Sequence, residues 1–580
     1  MDNNNDATIA LLEKHFDIVF AAPNGIKKLR ELILSLAMQG KLVPQNSSEP
    51  PASELLKEID AEKERLIKEG KIKQSKPLPK IKPDEVLYDL PKSWEWVRFE
   101  TISSYIQRGK SPKYVDKSEF PVIAQKCIQW HGLELEKAKF ICPESVKTYS
   151  EERFLNTGDL LWNSTGLGTL GRVGIYIHEE NTYQKVVADS HVTVIRPIFI
   201  ESKLLYFWIA SSFVQKDIEA KSSGSTKQIE LATSTVKSHI FPLPPLPEQR
   251  RIVAKIDELM AQCDELEKLR SDRDRKQITV HTAALNRLLI VKHQSDFNTV
   301  WQFITQHFRE LYSVKENVTE LRKAILQLAV MGKLVPQDPS DQPASELLKE
   351  IDAEKERLIK EGKIKQSKPL PKIKPDEVPY DLPKSWEWVR FETISSYIQR
   401  GKSPKYVDKS EFPVIAQKCI QWHGLELEKA KFICPESVKT YSEERFLNTG
   451  DLLWNSTGLG TLGRVGIYIH EENTYQKVVA DSHVTVIRPI FIESKLLYFW
   501  IASSFVQKDI EAKSSGSTKQ IELATSTVKS HIFPLPPLAE QQRIVAQIDQ
   551  LMALCDNLEK QIDNANSKQT NLLNAVMTKI

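Results

Sequence analysis

Phe241-Pro242-Leu243-Pro244-Pro245-Leu246-Pro247-Glu248-Gln249-Arg250-Arg251-Ile252-Val253-Ala254-Lys255-Ile256 returns 292 positions later as Phe533-Pro534-Leu535-Pro536-Pro537-Leu538-Ala539-Glu540-Gln541-Gln542-Arg543-Ile544-Val545-Ala546-Gln547-Ile548. Prolines break the front of each stretch, because they lack the amide proton a helix interior needs. The back of each opens an apolar heptad. Ile252, Leu259 and Leu266 recur every seven residues with Ile256 and Cys263 between them, and Ile544, Leu551 and Leu558 do so with Ile548, Cys555 and Ile562. Such seams argue for paired helices. A helix over 248–290 would be roughly 64 Å long at about 1.5 Å per residue, too long for one small domain to cover.

The duplication extends upstream. Residues 51–246 match residues 343–538 with one difference, Leu87 against Pro379. Two copies of one sequence fold into two copies of one surface, which suits a target that itself occurs twice. The flanks match less closely. Gly40-Lys41-Leu42-Val43-Pro44-Gln45 pairs with Gly332-Lys333-Leu334-Val335-Pro336-Gln337, and His15-Phe16 pairs with His307-Phe308.

Each copy has three parts. Residues 8–20 and 26–39 read as amphipathic helices broken at Pro23-Asn24-Gly25. Leu29, Ile33, Leu36 and Ala37 place one apolar stripe on the second, and Gly40 stops it. A charged helix follows over 52–69, then a basic, proline-marked arm containing Lys71, Lys73, Lys76, Lys80 and Lys82 that lacks a packing period and reads as an exposed linker. From about 88 to 246 the texture changes to short apolar runs between Gly, Pro, Asn and Ser. The runs 120–124, 160–162, 173–177 and 192–195 read as strands, and 202–220 as a helix. Closing the order of parts into a ring would pair the N-terminal helices with the C-terminal one and the central helices with each other, relating the two domains by a pseudo-two-fold axis.

Bulk composition sets bounds. The 580 residues are 41% hydrophobic and 27% charged, as in an ordinary globular protein, and suggest three to five domains at about 100–200 residues each. No apolar run is long enough to span a membrane, and Met1-Asp2-Asn3-Asn4-Asn5-Asp6 lacks the character of a signal peptide. The cysteines form three copied pairs, Cys127/Cys419, Cys142/Cys434 and Cys263/Cys555, without CxxC spacing, so a reducing cytoplasm is expected. A net charge of +3 gives weak support for nucleic acid by itself, since binding needs local positive potential.

Catalytic signatures are missing. Gly166-x-Gly168-x-x-Gly171 fits the dinucleotide fingerprint but stands between two strand-like runs rather than before a helix, so it reads as a glycine-rich hairpin or loop. Gly109-Lys110-Ser111 resembles the end of a phosphate loop, yet Ser104 occupies the position of its first glycine. No HExxH, zinc-spaced cysteine set, GxSxG or paired-carboxylate signature occurs, and His131, His178 and His191 read as scattered surface or core residues. The Asn-Pro-Pro-aromatic or Asp-Pro-Pro-aromatic tetrapeptide of amino-methyltransferases is absent too.

What remains is a set of polar, basic loops interleaved with aromatics. Their candidate DNA-binding residues are Arg108, Lys110, Ser111, Lys113 and Tyr114; Lys126, Gln129, Trp130 and His131; Asn163, Ser164 and Thr165; and Lys221, Ser223, Thr226 and Lys227. The second copy supplies Arg400, Lys402, Ser403, Lys405 and Tyr406; Lys418, Gln421, Trp422 and His423; Asn455, Ser456 and Thr457; and Lys513, Ser515, Thr518 and Lys519. Lys and Arg suit phosphates, and Gln, Asn, Lys and Arg suit base edges. Any one of these residues alone reads as a solvated loop position; the repeat favours DNA. Two other readings stay open: a methyltransferase with its own cofactor pocket, and a coiled-coil adaptor presenting two protein-binding domains.

Leu90-Pro91-x-x-Trp94-x-Trp96, Gly158-Asp159-Leu160-Leu161, the phrase at 40–45 and the proline-rich phrase before the long helix, each present twice, resemble the DNA-specificity subunit of type I restriction–modification systems. The resemblance covers essentially the whole chain. It implies an α+β fold: two globular α/β target-recognition domains separated by long antiparallel, coiled-coil-like helices with pseudo-two-fold symmetry. The expected divisions are an N-terminal helical region 1–45, a charged helix and basic linker 46–87, a first recognition domain 88–246, and a central helical region 247–337. A second linker at 338–379, a second recognition domain at 380–538 and a C-terminal helical region at 539–580 complete it. The implied partners are double-stranded DNA, two methyltransferase subunits and restriction subunits. No cofactor is implied in this chain; S-adenosylmethionine, ATP and magnesium fall to the partners. Family members usually carry two different recognition domains, so identical ones imply an interrupted palindrome.

Overall fold

The computed structural model describes residues 21–75, 77–111, 113–166, 168–221, 230–291, 293–403, 405–458, 460–513 and 522–577. The fold is α+β, with a sheet-containing domain built twice and two long helices. The chain divides into two compact units, Met1–Asp272 with Asn566–Ile580, and Arg273–Ala565.

The first unit opens with helix α1, Gly25–Met38, and helix α2, Ala52–Lys68. The expected helix at 8–20 lies outside the described residues. Gly40 ends the helical run with φ +70°, and a Cβ there would fall 2.5 Å from the Pro91 ring; glycine alone meets both demands. The strands then follow as β1 Glu95–Arg98, β2 Ser103–Arg108, β3 Tyr114–Val115, β4 Pro121–Ile123, β5 Ile128–Gln129 and β6 Gly132–Leu133. After them come β7 Lys139–Ile141, β8 Leu160–Asn163, β9 Val173–Ile175, β10 Val187–Ala188, β11 Val192–Pro197 and, after the helices below, β12 Ile240–Leu243. One sheet runs β2-β11-β8-β9 and is antiparallel throughout; the other runs β10-β4-β7-β3, with β10 parallel to β4. Strands β1 and β12 pair Glu95 with Leu243 and Arg98 with Ile240, which brings the entry and exit of the domain together.

The expected single helix at 202–220 is two, α3 Ser202–Ala210 and α4 Ser212–Lys221. Ser211 takes an extended backbone between them, and its hydroxyl donates to the Trp208 carbonyl at 2.6 Å. Trp208 is itself fixed, since its indole donates to the Ile240 carbonyl at 2.9 Å. Helix α5, Leu246–Ile290, follows β12. The main core joins Phe99, Trp162, Trp208 and Phe241 of the domain to Ile33 and Ala37 of α1, Leu55 and Ile59 of α2, and Ile252, Ile256 and Cys263 of α5. A second core, with Ile123, Leu161, Tyr176 and Val194, lies between the two sheets.

The arm after α2 is exposed as expected, but it is pinned. The Arg98 Nε donates to the Pro79 carbonyl at 2.9 Å, and the guanidinium pairs with Glu85 at 3.0 Å.

The heptad seam is covered differently from expectation. Ile252, Ile256 and Cys263 are buried against α1, the helix preceding the same domain, while Leu266 is 43% exposed. The 14-residue α1 is only about 21 Å long and covers the first turns of α5 alone. Two more helices complete the frame, α6 Lys315–Val330 and α7 Leu538–Met577. In the first unit Leu32 of α1 and Ala22 bury Leu573 and Val576 from the last turns of α7. In the second unit α6 buries Ala329 and Val330 with Ile544 and Ile548 of α7, and Ala324, Ile325 and Leu328 with Leu285 and Leu288 from the end of α5. Both expected pairings occur, N-terminal with C-terminal and central with central. The central pairing also takes in Cys555 of α7. The second unit repeats the strand orders of the first, with Glu387 opposite Leu535 and Arg390 opposite Ile532. All six cysteines are free thiols. Among the described residues, no helix is long and apolar enough to cross a membrane.

The Glu-Gln pair at the head of each long helix is a buried joint. Glu248 Oε2 accepts from the Trp94 indole at 3.0 Å, and Oε1 from the Gln45 amide at 2.5 Å. The Gln249 amide donates to the Pro244 carbonyl at 3.0 Å and accepts from the Glu201 amide proton at 3.0 Å. Glu540 and Gln541 repeat these bonds with Trp386, Gln337, Pro536 and Glu493. Burial pushes the Glu248 and Glu540 carboxyls up from their ordinary value, with the donors opposing it. The folded state therefore holds these protons more readily than the unfolded one. Stability should fall as pH rises from about 4.3, the ordinary Glu value, through the raised folded value. Urea midpoints measured from pH 4.5 upward should show that decline, and the paired substitution Glu248→Gln with Glu540→Gln should shrink it.

Candidate nucleic-acid interface

Sheet topology gathers the candidate loops. In the antiparallel order β2-β11-β8-β9, the end of β2, the start of β11, the end of β8 and the start of β9 share one edge. Parallel strands β4 and β10 end together. Backbone bonds bring these two edges together, since the Asp189 amide donates to the Ile123 carbonyl at 3.0 Å and the Gly109 amide to the Val192 carbonyl at 3.0 Å. The described residues of the segments 109–111, 124–131, 163–166, 168–172 and 189–191 thus meet at one end of the domain. The glycine-rich segment is the β8–β9 hairpin, as the sequence suggests, and Gly166, Gly168 and Gly171 all have positive φ.

Gly109 sets the closest approach. A Cβ there would lie 2.0 Å from the Ala188 carbonyl oxygen, so the 109–113 loop presses on the β10–β11 turn without room for a side chain. Across that contact the Ser111 and Ser190 hydroxyls stand 2.6 Å apart. The next link is Thr165, whose Oγ1 lies 2.7 Å from Nδ1 of His191 and accepts from the Gln125 amide. Asp189 is buried, and its Oδ1 accepts from the His191 backbone amide at 2.8 Å. The Asn163 amide donates to the Gln125 carbonyl at 3.2 Å.

The candidates fall into two groups. Lys110, Ser111, Lys113, Tyr114, Lys126, Trp130 and His131 are exposed. Lys110 lies over the Tyr149 ring at 5.4 Å and Lys139 over the Tyr114 ring at 4.8 Å, contacts that hold cations and aromatics together. Burial pushes the Tyr114 phenol up to about 12, so it remains a hydrogen-bond donor at neutral pH. His131 stands 3.2 Å from Glu134. Other candidates are occupied inside the domain. Asn163 and Ser164 are fully buried, with the Ser164 hydroxyl on Thr193. Arg108 pairs with Glu230 at 2.7 Å and donates to the Leu231 carbonyl at 2.8 Å. Gln129 accepts from Arg172 at 2.7 Å. These four support the loops rather than project from them. Ser223, Thr226 and Lys227, with Ser515, Thr518 and Lys519, lie outside the described residues, as do the side chains of Lys221 and Lys513.

The second copy matches. Lys402, Ser403, Lys405, Tyr406, Lys418, Trp422 and His423 are exposed, while Asn455 and Ser456 are buried. Arg400 pairs with Glu522 at 2.6 Å, Gln421 accepts from Arg464 at 2.7 Å, and Thr457 lies 2.7 Å from His483.

Sequence reading passes over Asp189, Ser190 and His191 as site residues. A polar triplet between the apolar runs Val186-Val187-Ala188 and Val192-Thr193-Val194 was the available signal for a tight turn. Nothing local says that this turn meets the other loops.

A family profile described as "Type I restriction modification DNA specificity domain" matches residues 91–273 and again 383–565. The EcoAI type I restriction enzyme specificity subunit of Escherichia coli is 34% identical over 95% of this chain and 93% of its own length. The EcoEI specificity subunit of Escherichia coli is 33% identical over the same shares. A solved HsdS subunit from Thermoanaerobacter tengcongensis, 17% identical, aligns over 85% of this chain and 98% of its own with a TM-score of 0.43.

Replacing Gly109 and Gly401 by alanine should force the loop off the β10–β11 turn. Because backbone stands in the way, the expected cost is about 1–3 kcal/mol in each domain, measured as a lower urea midpoint, with faster amide exchange at Lys110 and Lys402, whose amides donate to the Ala188 and Ala480 carbonyls.

Proposed function

This chain belongs to the DNA-specificity family of type I restriction–modification systems, and we propose that its two matching domains read matching half-sites of one bipartite target. It is a recognition subunit rather than a catalytic one. We assign the reading to residues 88–246 and 380–538, and the holding of separation and orientation to the helical regions 1–45, 247–337 and 539–580. The observation that carries this is the identity of the two loop sets, since residues 51–246 recur at 343–538 with one difference. That difference, Leu87 against Pro379, is exposed in the first copy and lies in the arm before the first strand, remote in sequence from every loop named above.

The mechanism is positional. Lys110, Lys113 and Lys126 and their copies contact phosphates, which fix register without reading sequence. Polar side chains among them read base edges. Matching domains that engage matching half-sites on opposite strands take an interrupted palindrome as target, with half-site centres about 10 bp apart. The helices dock two methyltransferase subunits, which flip an adenine in each half-site to reach it. S-adenosylmethionine belongs to those subunits; ATP and magnesium belong to restriction subunits where these join. The assembly works in the cytoplasm, in keeping with six unpaired thiols.

Co-expression with methyltransferase subunits, followed by genome-wide mapping of methylated adenine, tests the reading. The expected result is one motif whose halves are reverse complements across a nonspecific gap; unrelated halves would overturn it. Substituting alanine for Lys110, Lys113 and Lys126 in one domain should weaken binding of all sequences alike. It should also reduce the slope of log affinity against log salt by about 1 for each phosphate that the altered side chains no longer neutralise.

A further inference from the structure

We propose that His191, and equally His483, reads a base through its Nε2 proton, with Thr165 and Gln125 (Thr457 and Gln417) fixing the tautomer that makes Nε2 the donor. The inference rests on the domains being DNA readers and names a residue that determines what they read.

The direction of the hydrogen bonds carries the argument. The Gln125 side chain approaches the Thr165 backbone carbonyl at 3.2 Å and the Thr165 hydroxyl as well. A carbonyl only accepts, so the Gln125 atom facing it is the amide nitrogen. That same nitrogen donates to Oγ1 of Thr165. The Thr165 hydroxyl hydrogen is then free to point at Nδ1 of His191, 2.7 Å away. Nδ1 accepts, so the neutral ring carries its proton on Nε2. Nε2 has no partner among the described residues, and the His191 side chain is exposed. The second copy repeats the chain of bonds, with Gln417 3.1 Å from the Thr457 carbonyl and Thr457 2.7 Å from His483.

The backbone beneath the ring is held on both sides. The His191 amide donates to Asp189 at 2.8 Å, and the His191 carbonyl accepts from the Ser164 amide at 2.9 Å. The buried Ser164 and Asp189 thereby anchor the segment that presents the imidazole. A donor fixed in this way loses little freedom on binding. In the major groove it fits the acceptors of guanine N7 or O6, adenine N7 or thymine O4, and it finds no acceptor on the cytosine amino group.

The duplicated domain supplies an internal control. His191→Ala in the full chain, co-expressed with methyltransferase subunits and with His483 intact, should relax methylation at one base position in one half of the motif. Discrimination there should drop about tenfold while the other half keeps its sequence. The double variant H191A/H483A should relax both halves symmetrically. An unchanged motif, or a uniform partial reduction of methylation with both halves intact in sequence, would show a structural or phosphate contact and overturn the proposal. If H191A abolishes methylation altogether, T165V decides, since it keeps the ring and removes only the hydroxyl that sets the tautomer. Relaxation at a single position then supports base reading, and an unaltered motif refutes it. Failure of the underlying reading is separate, because it would show in the unmodified chain as a motif with unrelated halves or none.

Discussion

A buried carboxylate at the head of each long helix holds three distant parts of the sequence at one point. Glu248 receives the indole proton of Trp94, from the start of the globular domain, and the amide of Gln45, from the turn after α1. Its own chain is the first turn of α5. Stripping a carboxylate of water is costly unless donors replace the water, and only this assembly of domain, turn and helix provides both. A tilt of the domain on the helix would break at least one bond and leave a buried acceptor unmet, at a cost of about 1–3 kcal/mol. Gln249 reinforces the same geometry from the next position, by bridging the proline run to the start of α3. A recognition surface is useful to a positional mechanism only if its orientation is fixed, and this joint fixes it within each unit.

Above the joint, the loops are arranged by residues that do not themselves face outward. Arg108 closes the far side through Glu230 and Leu231. Asn163 and Ser164 lie beneath the β8–β9 hairpin and the β10–β11 turn. Gly109 permits the 109–113 loop to touch that turn. The exposed lysines and aromatics are therefore mounted on a framework of buried hydrogen bonds. Buried hydrogen bonds of this kind hold the loops against one another.

Much of the architecture was legible because it is carried by periodicity. The apolar runs at 160–162, 173–177 and 192–195 became β8, β9 and β11, and the charged helix expected over 52–69 is Ala52–Lys68. The heptad was legible as a seam but not as a pairing. A stripe of Ile252, Ile256 and Cys263 says that something apolar covers it, and the short α1 does so as well as a second long helix could. Leu266 keeps the spacing but lies beyond the reach of that cover. The candidate site was legible as a list of polar loops, and seven of the twelve candidates with described side chains in the first copy are exposed. Side-chain type could not separate Ser111, which is exposed, from Ser164, which is buried. That distinction is made by Thr193 and by the turn at 189–191, neighbours that arrive only when the sheet assembles.

The C-terminal turns of α7 belong to the first compact unit, where Leu573 and Val576 cover Ala22 and Leu32. Leu285 and Leu288, from the end of α5, belong to the second. The first unit is thus not a contiguous piece of chain. During translation the second can close as soon as its own residues have emerged, whereas the first must wait for residues 566–577, which follow the whole of the second. Of the two units, the one that begins first is completed second, and until then α1 keeps an uncovered apolar flank.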